Sequence, residues 1–277
     1  MPIADLNVKF HKMLVYGQTG TGKTYGILHI AASLKENTLY YLDTDEGTSK
    51  DVDEFPDSVK EHLVYYLATS MDELIADMND IILKCKPGDW IVTDMAARVW
   101  DLAQSEFIKK VFDTQEVGRY YLEMRRELER HPVITKSGGI DKQPNLDGWT
   151  DWVPIKKRHN EDFMDILKML PRKKNVNLLV TTSADQLKLQ GKFADKGDTI
   201  SVFAKAGYKP EGEKHNPHRF DTILFLTKEG GEYYVNCLKN RGRKEFGKTL
   251  IPEGYSFFEV YLEESTIQKK LMTFVDG

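Results

Sequence analysis

The sequence predicts an α/β fold in which helices cover a mostly parallel β-sheet that ends in an antiparallel hairpin. A glycine-rich loop stands between a short apolar run and a helix-spaced segment, and strand-like and helix-like segments alternate through the first part of the chain. Near the end, Glu229-Gly230-Gly231 separates two further strand-like runs. Alternating strands and helices favour parallel pairing with right-handed crossovers, whereas a short glycine turn favours an antiparallel hairpin.

Each predicted strand is a short apolar run that stops at a polar or glycine-containing position, as buried strands do. The runs are Met13–Tyr16, Leu39–Leu42, Leu63–Leu67, Trp90–Thr93, Asn177–Thr182, Phe220–Thr227, Glu232–Leu238 and Tyr255–Leu262. The two runs between residues 220 and 238 flank the glycine turn and form the hairpin, and the last run supplies a final strand.

Helices are predicted where apolar residues recur three or four positions apart. This spacing follows the glycine-rich loop from Ile27 to Leu34, and Ser70 with Glu73 three residues later marks the start of the next helix. The remaining helices cover Asp72–Lys84, Ala96–Phe112, Arg119–Arg130 and Glu161–Leu170. Residues 113–158 are predicted as an insertion or mobile loop, and residues 185–218 as a second long loop.

Composition narrows the class of protein. A chain of 277 residues can bury a sizeable core, and we expect a single domain over residues 1–277. The sequence shows no leader and no apolar run long enough to span a bilayer, which predicts a cytoplasmic protein. Cys85 and Cys237 lie far apart and predict neither a disulfide framework nor a metal cluster. The net charge of −4 weighs against a broad nucleic-acid surface, although it allows a local basic strip.

The glycine-rich loop fits the phosphate-binding pattern G-x-x-x-x-G-K-S/T without a mismatch. Its residues are Gly17, Gln18, Thr19, Gly20, Thr21, Gly22, Lys23 and Thr24. Glycines let successive backbone N–H groups turn inward around an anion, and the following helix points its positive end at the same place. Lys23 can reach the β- and γ-phosphates, and the Thr24 hydroxyl is a suitable ligand for Mg²⁺. The loop therefore predicts a site for a nucleoside triphosphate and Mg²⁺.

Acidic residues stand at the ends of two predicted strands. Asp94 closes the third of the strongly apolar runs, the pattern of a Walker B carboxylate that helps to hold Mg²⁺. Met95 follows it, which disfavours ATPases that place a water-polarising glutamate there. A base can come instead from the end of the second strand, where Asp45 and Glu46 follow Asp43 and could orient the attacking water. Either of these two residues fits that role, and a solvated acidic loop is the other interpretation.

A basic string, Lys239-Asn240-Arg241, follows the second strand of the hairpin. Its cations could neutralise the charge of a phosphoryl-transfer transition state, either within the subunit or in a neighbour's site. An ordinary solvated basic turn is the alternative interpretation. Thr182 or Ser183, at the end of another predicted strand, could hydrogen-bond to the γ-phosphate.

Together these residues resemble the RecA-like ATPase superfamily, which includes RecA, the RadA/Sms proteins and DnaB-type helicases. Four features match in order: the phosphate loop, the acidic strand end Tyr41–Glu46, the strand that closes at Asp94, and Lys239-Asn240-Arg241-Gly242 after the hairpin. The resemblance implies a three-layer P-loop NTPase fold, ATP with Mg²⁺, and a base at or beside Asp45. In RadA proteins the lysine and arginine of a similar K-N-R string reach a neighbour's nucleotide, but Gly242-Arg243 stands here where that family has Phe-Gly.

The layout over most of residues 10–245 is similar to small phage-encoded RecA-like ATPases of the Sak single-strand-annealing group. Members of the superfamily bind single-stranded DNA through two loops, and residues 113–158 and 185–218 fall at the matching places. Lysines can follow phosphates while aromatic rings stack on bases, although such rings can also pack the loop down. The candidate residues are Trp149, Trp152, Lys156, Lys157, Arg158, Lys188, Lys192, Phe193, Phe203, Lys205, Tyr208 and Lys209.

The leading hypothesis is a Mg²⁺-dependent ATPase that acts on single-stranded DNA in recombination, repair or replication and assembles as a homo-oligomeric ring or filament. The alternative is a nucleotide-regulated switch or assembly factor with slow hydrolysis and no dependence on nucleic acid. A P-loop kinase is disfavoured because no arginine-rich lid follows the core.

Overall fold

The computed structural model describes residues 10–48, 55–134, 138–141, 151–188, 195, 197–241 and 243–266. The strands are β1 (Lys12–Gly17), β2 (Leu39–Asp43), β3 (Leu63–Leu67), β4 (Trp90–Asp94), β5 (Val133–Ile134), β6 (Ile140–Asp141), β7 (Asn177–Thr182), β8 (Ala184–Gln186), β9 (Tyr208–Pro210), β10 (Thr222–Glu229), β11 (Glu232–Asn240) and β12 (Thr249–Ile251). The α-helices are α1 (Lys23–Ser33), α2 (Asp57–Lys60), α3 (Met71–Lys84), α4 (Ala96–Val111), α5 (Val117–Arg130), α6 (Trp152–His159), α7 (Asp165–Lys174), α8 (Asp198–Phe203) and α9 (Phe257–Thr266). A π-helical turn, Asn160–Met164, joins α6 to α7, and Asn216–Arg219 form a 3₁₀ turn.

One sheet of eight strands forms the centre of the described chain, in the order β12-β11-β10-β1-β7-β4-β2-β3. The six strands from β10 to β3 in this order pair in parallel, whereas β11 and β12 run antiparallel to their neighbours. The predicted fold class, a mostly parallel sheet with a C-terminal antiparallel hairpin, is confirmed. The carboxyl ends of β1, β2, β4 and β7 consequently lie along one edge of the sheet, where ligands of such sheets bind.

Helices pack on both faces of this sheet because its strands are apolar on both sides. In β1, Leu14 and Tyr16 join the core beneath α3, α4, α6 and α7, whereas Met13 and Val15 join the core beneath α1, α2 and α9. Alternate residues of a strand point to opposite faces, so a continuous apolar run serves both layers. The result is the predicted three-layer arrangement.

The predicted final strand over Tyr255–Leu262 is wrong, because this stretch belongs to the start of helix α9. The Glu259 carboxylate accepts a hydrogen bond of 2.6 Å from the N–H of Ser256, and the Ser256 hydroxyl accepts one from the N–H of Phe258. This reciprocal pairing is a helix-starting capping box, and it outweighs the strand preference of the aromatic residues that follow. Residues buried at helical spacing in α9 are Phe257, Val260 and Tyr261.

The segments predicted as long loops contain regular structure. Helix α5 confirms the predicted helix over Arg119–Arg130, and α6 occupies the end of the same segment. The segment 185–218 contains α8 and β9, and β9 pairs with β8 in a small antiparallel sheet. Within the described ranges, no helix combines the length and the apolar character that a membrane span needs.

Candidate active site

The phosphate loop connects the end of β1 to the start of α1, as the sequence predicts. Gly20 and Gly22 have φ angles of +75° and +89°, which residues with a side chain rarely adopt. At Gly17, a Cβ atom would lie 2.6 Å from the carbonyl oxygen of Leu226 in β10. The glycines are therefore needed for the turn and for the close approach of the neighbouring strand, and they present the start of α1 at the carboxyl edge of the sheet.

Lys23 folds back over this loop. Its Nζ donates hydrogen bonds to the carbonyl oxygens of Gly17 and Gln18, at 2.7 and 3.0 Å. Loss of solvent lowers the pKa of Lys23, and the carboxylates of Asp94 and Asp45 act in the opposite direction. The pairing of β2 with β4, of β4 with β7 and of β7 with β1 brings the acidic ends of β2 and β4 to the same edge of the sheet as the phosphate loop.

Asp94, at the end of β4, is buried and accepts hydrogen bonds on both carboxylate oxygens. Its Oδ2 accepts a bond of 2.6 Å from the Tyr41 hydroxyl, and its Oδ1 accepts one from the Thr181 hydroxyl. Burial raises the pKa of Asp94, whereas these two hydrogen bonds lower it. Each oxygen keeps acceptor capacity for a metal ion or for a metal-bound water.

The residues present fit a magnesium ion. The described residues contain no group of three histidine, cysteine or acidic side chains arranged to hold a metal without other ligands. Mg²⁺ is usually bound by one or two protein oxygens together with waters and nucleotide phosphates, so such a group is not required. Thr24 and Asp94 supply oxygen donors of the preferred kind.

The acidic turn after β2 is organised by Asp43, which is buried. Its Oδ1 accepts hydrogen bonds from the N–H groups of Asp45 and Glu46, at 3.0 and 3.1 Å. Its Oδ2 accepts bonds from the Tyr65 hydroxyl at 2.6 Å and from the N–H of Thr48 at 3.2 Å. Four donors occupy this carboxylate, so Asp43 shapes the turn while Asp45 and Glu46 lie at the surface.

The carboxyl group of Asp45, one of the two candidate bases, has a raised pKa. Partial loss of solvent and the nearby Asp43 and Asp94 raise the pKa of its carboxyl group, the N–H of Gly47 lowers it, and the net result is a pKa of about 6. A carboxylate with a raised pKa close to another acidic group is a common property of catalytic sites. Glu46 has a φ angle of 62°, in the left-handed region.

Lys239 and Arg241 do not join this group within one subunit. In β10, Ile223 pairs with Lys239, and Leu226, three residues further along, pairs with Gly17 of the phosphate loop. At about 3.3 Å per residue this places Lys239 roughly 10 Å from the level of the phosphate loop, with Arg241 further toward the opposite edge. The antiparallel direction of β11 causes this separation, which the linear order of the motifs does not reveal.

Both cations have partners at that opposite edge. The Lys239 Nζ donates to the carbonyl oxygen of Pro217 at 3.1 Å, and Arg241 lies 3.6 Å from the Asp221 carboxylate. Loss of solvent lowers the pKa of Lys239, and the neighbouring Arg241 lowers it further. With His218, these cations line a cleft of about 180 Å³.

A larger cavity, of about 620 Å³, adjoins the phosphate loop and was not found from the sequence. It is lined by Thr21, Gly22 and Tyr25, by the tip of the β10–β11 hairpin at 231–233, and by residues 250–257. These segments are far apart in the chain, so no local pattern links them. Only the pairing of β11 with β12 and the packing of α9 on α1 bring them together.

Several aromatic residues proposed for base stacking pack against other rings of the protein instead. Phe203 is buried against the core, and the Tyr208 ring stacks on Phe225 with centroids 5.8 Å apart. Trp152 stacks on Trp100 at 5.8 Å. For these three residues, the packing interpretation is confirmed.

The polar candidates near them have mixed outcomes. Lys209 pairs with Asp195 at 2.6 Å, and Arg158 pairs with Glu106 and Asp162. Lys188, Lys205 and Lys157 are exposed. Trp149, Lys192 and Phe193 lie outside the described residues.

The end of β7 contributes a residue that sequence reasoning missed. Thr182, proposed as a γ-phosphate contact, is buried and donates to the carbonyl oxygen of Glu211 at 3.0 Å, while Ser183 contacts the Met95 sulfur at 3.4 Å. Thr181 is the strand-end residue that reaches Asp94. Alternation along the strand gives the reason, because successive residues point to opposite faces.

No family model and no curated protein matches this chain. Among solved structures, it is similar to the RadB recombinase, with 15% identity over 87% of each chain and a TM-score of 0.49. It is also similar to an ATPase from the type III secretion system of pathogenic bacteria, with 11% identity over 78% of this chain and 51% of that chain and a TM-score of 0.36. The chain's own strand order, with the glycine-rich loop after β1 and Asp94 at the end of β4, is the mostly parallel arrangement that the sequence predicts.

Proposed function

We propose that this protein is an ATPase that binds ATP with Mg²⁺ and hydrolyses the γ-phosphate. The observation that supports this proposal is the convergence of three groups at one edge of the sheet: the loop Gly17–Thr24, the buried carboxylate of Asp94 and the acidic turn with Asp45. Within this group, the carboxylates of Asp94 and Asp45 favour the charged form of Lys23 against the effect of lost solvent. Phosphoryl transfer needs this combination of positioning and electrostatic stabilisation.

Each residue has a defined role in this proposal. The N–H groups of the loop and the start of α1 surround the phosphates, and Lys23 exchanges its two carbonyl partners for phosphate oxygens. Thr24 and Asp94 would hold Mg²⁺, which neutralises charge on the β- and γ-phosphates when bound. The nucleoside would enter the cavity beside the loop, where Tyr25 is half exposed and its ring, which also contacts His29 with centroids 5.0 Å apart, would face a base.

Asp45 is proposed as the group that orients and deprotonates the attacking water. Since its pKa is raised to about 6, the carboxyl group is protonated below that pH and cannot accept a proton. We therefore expect kcat to fall as the pH is lowered through about 6. Asp45→Asn should abolish most of the activity and the fall in kcat near pH 6, whereas Glu46→Gln should keep both the activity and this fall. If Glu46→Gln abolishes the fall in kcat near pH 6 instead, the base is Glu46.

We further propose that the protein works as a homo-oligomeric ring or filament in which Lys239 and Arg241 serve a neighbour's nucleotide. Their position at the edge opposite the phosphate loop supports a role between subunits rather than within one. Arginine residues supplied by a neighbour stabilise the charge of phosphoryl-transfer transition states.

Single-stranded DNA is the proposed partner, and recombination, repair or replication the proposed process. Exposed Lys188 and Lys205, in the segment that follows β7, support a contact with phosphates. The alternative, a nucleotide-regulated switch or assembly factor, is favoured by the burial of Phe203 and by the stacking of Tyr208 and Trp152 on other rings of the protein, which makes these rings less available to bases.

Phosphate release from ATP with Mg²⁺ separates these two functions. The rate is measured without nucleic acid, with single-stranded DNA and with duplex DNA. We expect single strands to stimulate the wild-type rate and duplex DNA to stimulate it less, because unpaired bases can stack on the protein and paired bases cannot. Hydrolysis that is indifferent to DNA would support the switch, and no hydrolysis of ATP would refute the proposed activity.

A further inference from the structure

Tyr41 lies between the two acidic strand ends of the candidate site. It belongs to β2, pairs with Val92 of β4 and is fully buried. Its hydroxyl is 2.6 Å from Asp94 Oδ2 and 2.9 Å from the Thr48 Oγ1. A single phenol oxygen therefore touches both the Asp94 carboxylate and the end of the acidic turn.

The contact with Thr48 continues into that turn. The N–H of Thr48 donates to Asp43 Oδ2 at 3.2 Å, and Asp43 Oδ1 accepts the N–H groups of Asp45 and Glu46. Hydrogen bonds thus link Asp94 to Tyr41 and Tyr41 to the hydroxyl of Thr48. The N–H of Thr48 continues the path to Asp43, which holds the residues proposed to orient water.

The chemistry of the two hydroxyls gives this set a direction. Asp94 can only accept when ionised, so the Tyr41 proton is donated to Oδ2, and the Thr48 hydroxyl can then donate to the Tyr41 oxygen. Hydrogen bonds arranged in series polarise one another in a buried environment. Tyr41 also has only two side-chain torsions, and its ring is fixed by close packing against Tyr65, with centroids 5.7 Å apart.

We propose that Tyr41 is a positioning residue, which fixes the orientation of Asp94 toward Mg²⁺. Through Thr48 it also holds the acidic turn at a fixed position relative to that carboxylate. The inference rests on the proposed function, because it assigns to Asp94 a part in binding the metal. Partners that orient a metal-binding carboxylate affect metal affinity although they do not touch the metal themselves.

The test compares Tyr41→Phe with wild type in the affinity for a fluorescent ATP analogue, measured with Mg²⁺ and with EDTA. Phenylalanine keeps the ring and removes one oxygen. We expect the affinity in EDTA to be unchanged, the gain in affinity caused by Mg²⁺ to fall about tenfold, and kcat to fall by a similar factor. Tyr66→Phe is the matched control, since it removes a hydroxyl that donates to the Asp80 carboxylate at the same distance of 2.6 Å but outside the candidate site, and its gain with Mg²⁺ should equal that of wild type.

An equal gain with Mg²⁺ in wild type and Tyr41→Phe would overturn the inference, as would a loss in Tyr66→Phe equal to that in Tyr41→Phe. Thr48→Val removes only the hydroxyl that meets Tyr41 and should lower the gain with Mg²⁺ by a smaller factor, so it decides the question if Tyr41→Phe does not fold. Wild-type protein that binds no ATP analogue in the presence of Mg²⁺ would instead refute the proposed function.

Discussion

Replacing Lys23 by alanine is expected to lower ATP turnover about a hundredfold or more while the fold is retained. The Lys23 ammonium is the cation that the phosphate loop itself provides, and the loss of one such group from a preorganised site has effects of this size. The fold should survive, because the partners of Lys23 within the chain are two backbone carbonyl groups of its own loop, at 2.7 and 3.0 Å.

The measurement is phosphate release with ATP and Mg²⁺, together with thermal unfolding of both proteins. Lys35→Ala is the matched control, since Lys35 is an exposed lysine just beyond the end of α1 and away from the loop. Normal turnover by Lys23→Ala would show that the site is wrongly assigned. A large loss of thermal stability would show that Lys23 supports the loop rather than the reaction.

Local patterns were sufficient for the parts of the site that lie within one element or one turn. The phosphate loop, the strand that ends at Asp94 and the acidic turn each combine a short apolar run with a fixed polar sequence, and the structure brings all three to one edge. Parallel strands explain this result, because their carboxyl ends meet at the same edge whatever lies between them in the chain.

Such local patterns do not predict contacts that depend on the register of strand pairing. Whether Tyr41 reaches Asp94 depends on how β2 pairs with β4, and a shift of one residue would turn the hydroxyl to the other face. Thr181 and Thr182 show the same limit, since adjacent hydroxyls on one strand have different partners. The capping box at Ser256 and Glu259, in contrast, is a local signal that the sequence itself contains.

The direction of β11 has the largest consequence for function. Read along the chain, Lys239 and Arg241 follow a hairpin strand and could belong to either edge of the sheet. The antiparallel pairing with β10 takes them away from the phosphate loop of their own subunit. A catalytic role for these cations therefore requires a second copy of the chain. Head-to-tail contacts between such copies form rings or filaments.

Arg241→Ala is accordingly expected to lower turnover about a thousandfold, at the low end of the contribution of arginine fingers, without weakening ATP binding to the same subunit. The side chain is exposed and its partner Asp221 also pairs with Lys12, so stability should change little. Arg172→Ala is a suitable control, because Arg172 is an exposed arginine near the end of α7.

Mixing the two inactive proteins tests the role between subunits. In a random one-to-one mixture of Lys23→Ala and Arg241→Ala, a site works when its own subunit supplies Lys23 and the neighbour supplies Arg241, which occurs at about one site in four. We expect about a quarter of the wild-type turnover to return after subunit exchange. If both variants assemble and exchange but no activity returns, Arg241 does not act in trans. A strict monomer in gel filtration with ATP and Mg²⁺ would exclude this role as well, because the cation at the far edge of one subunit would then have no second nucleotide to meet.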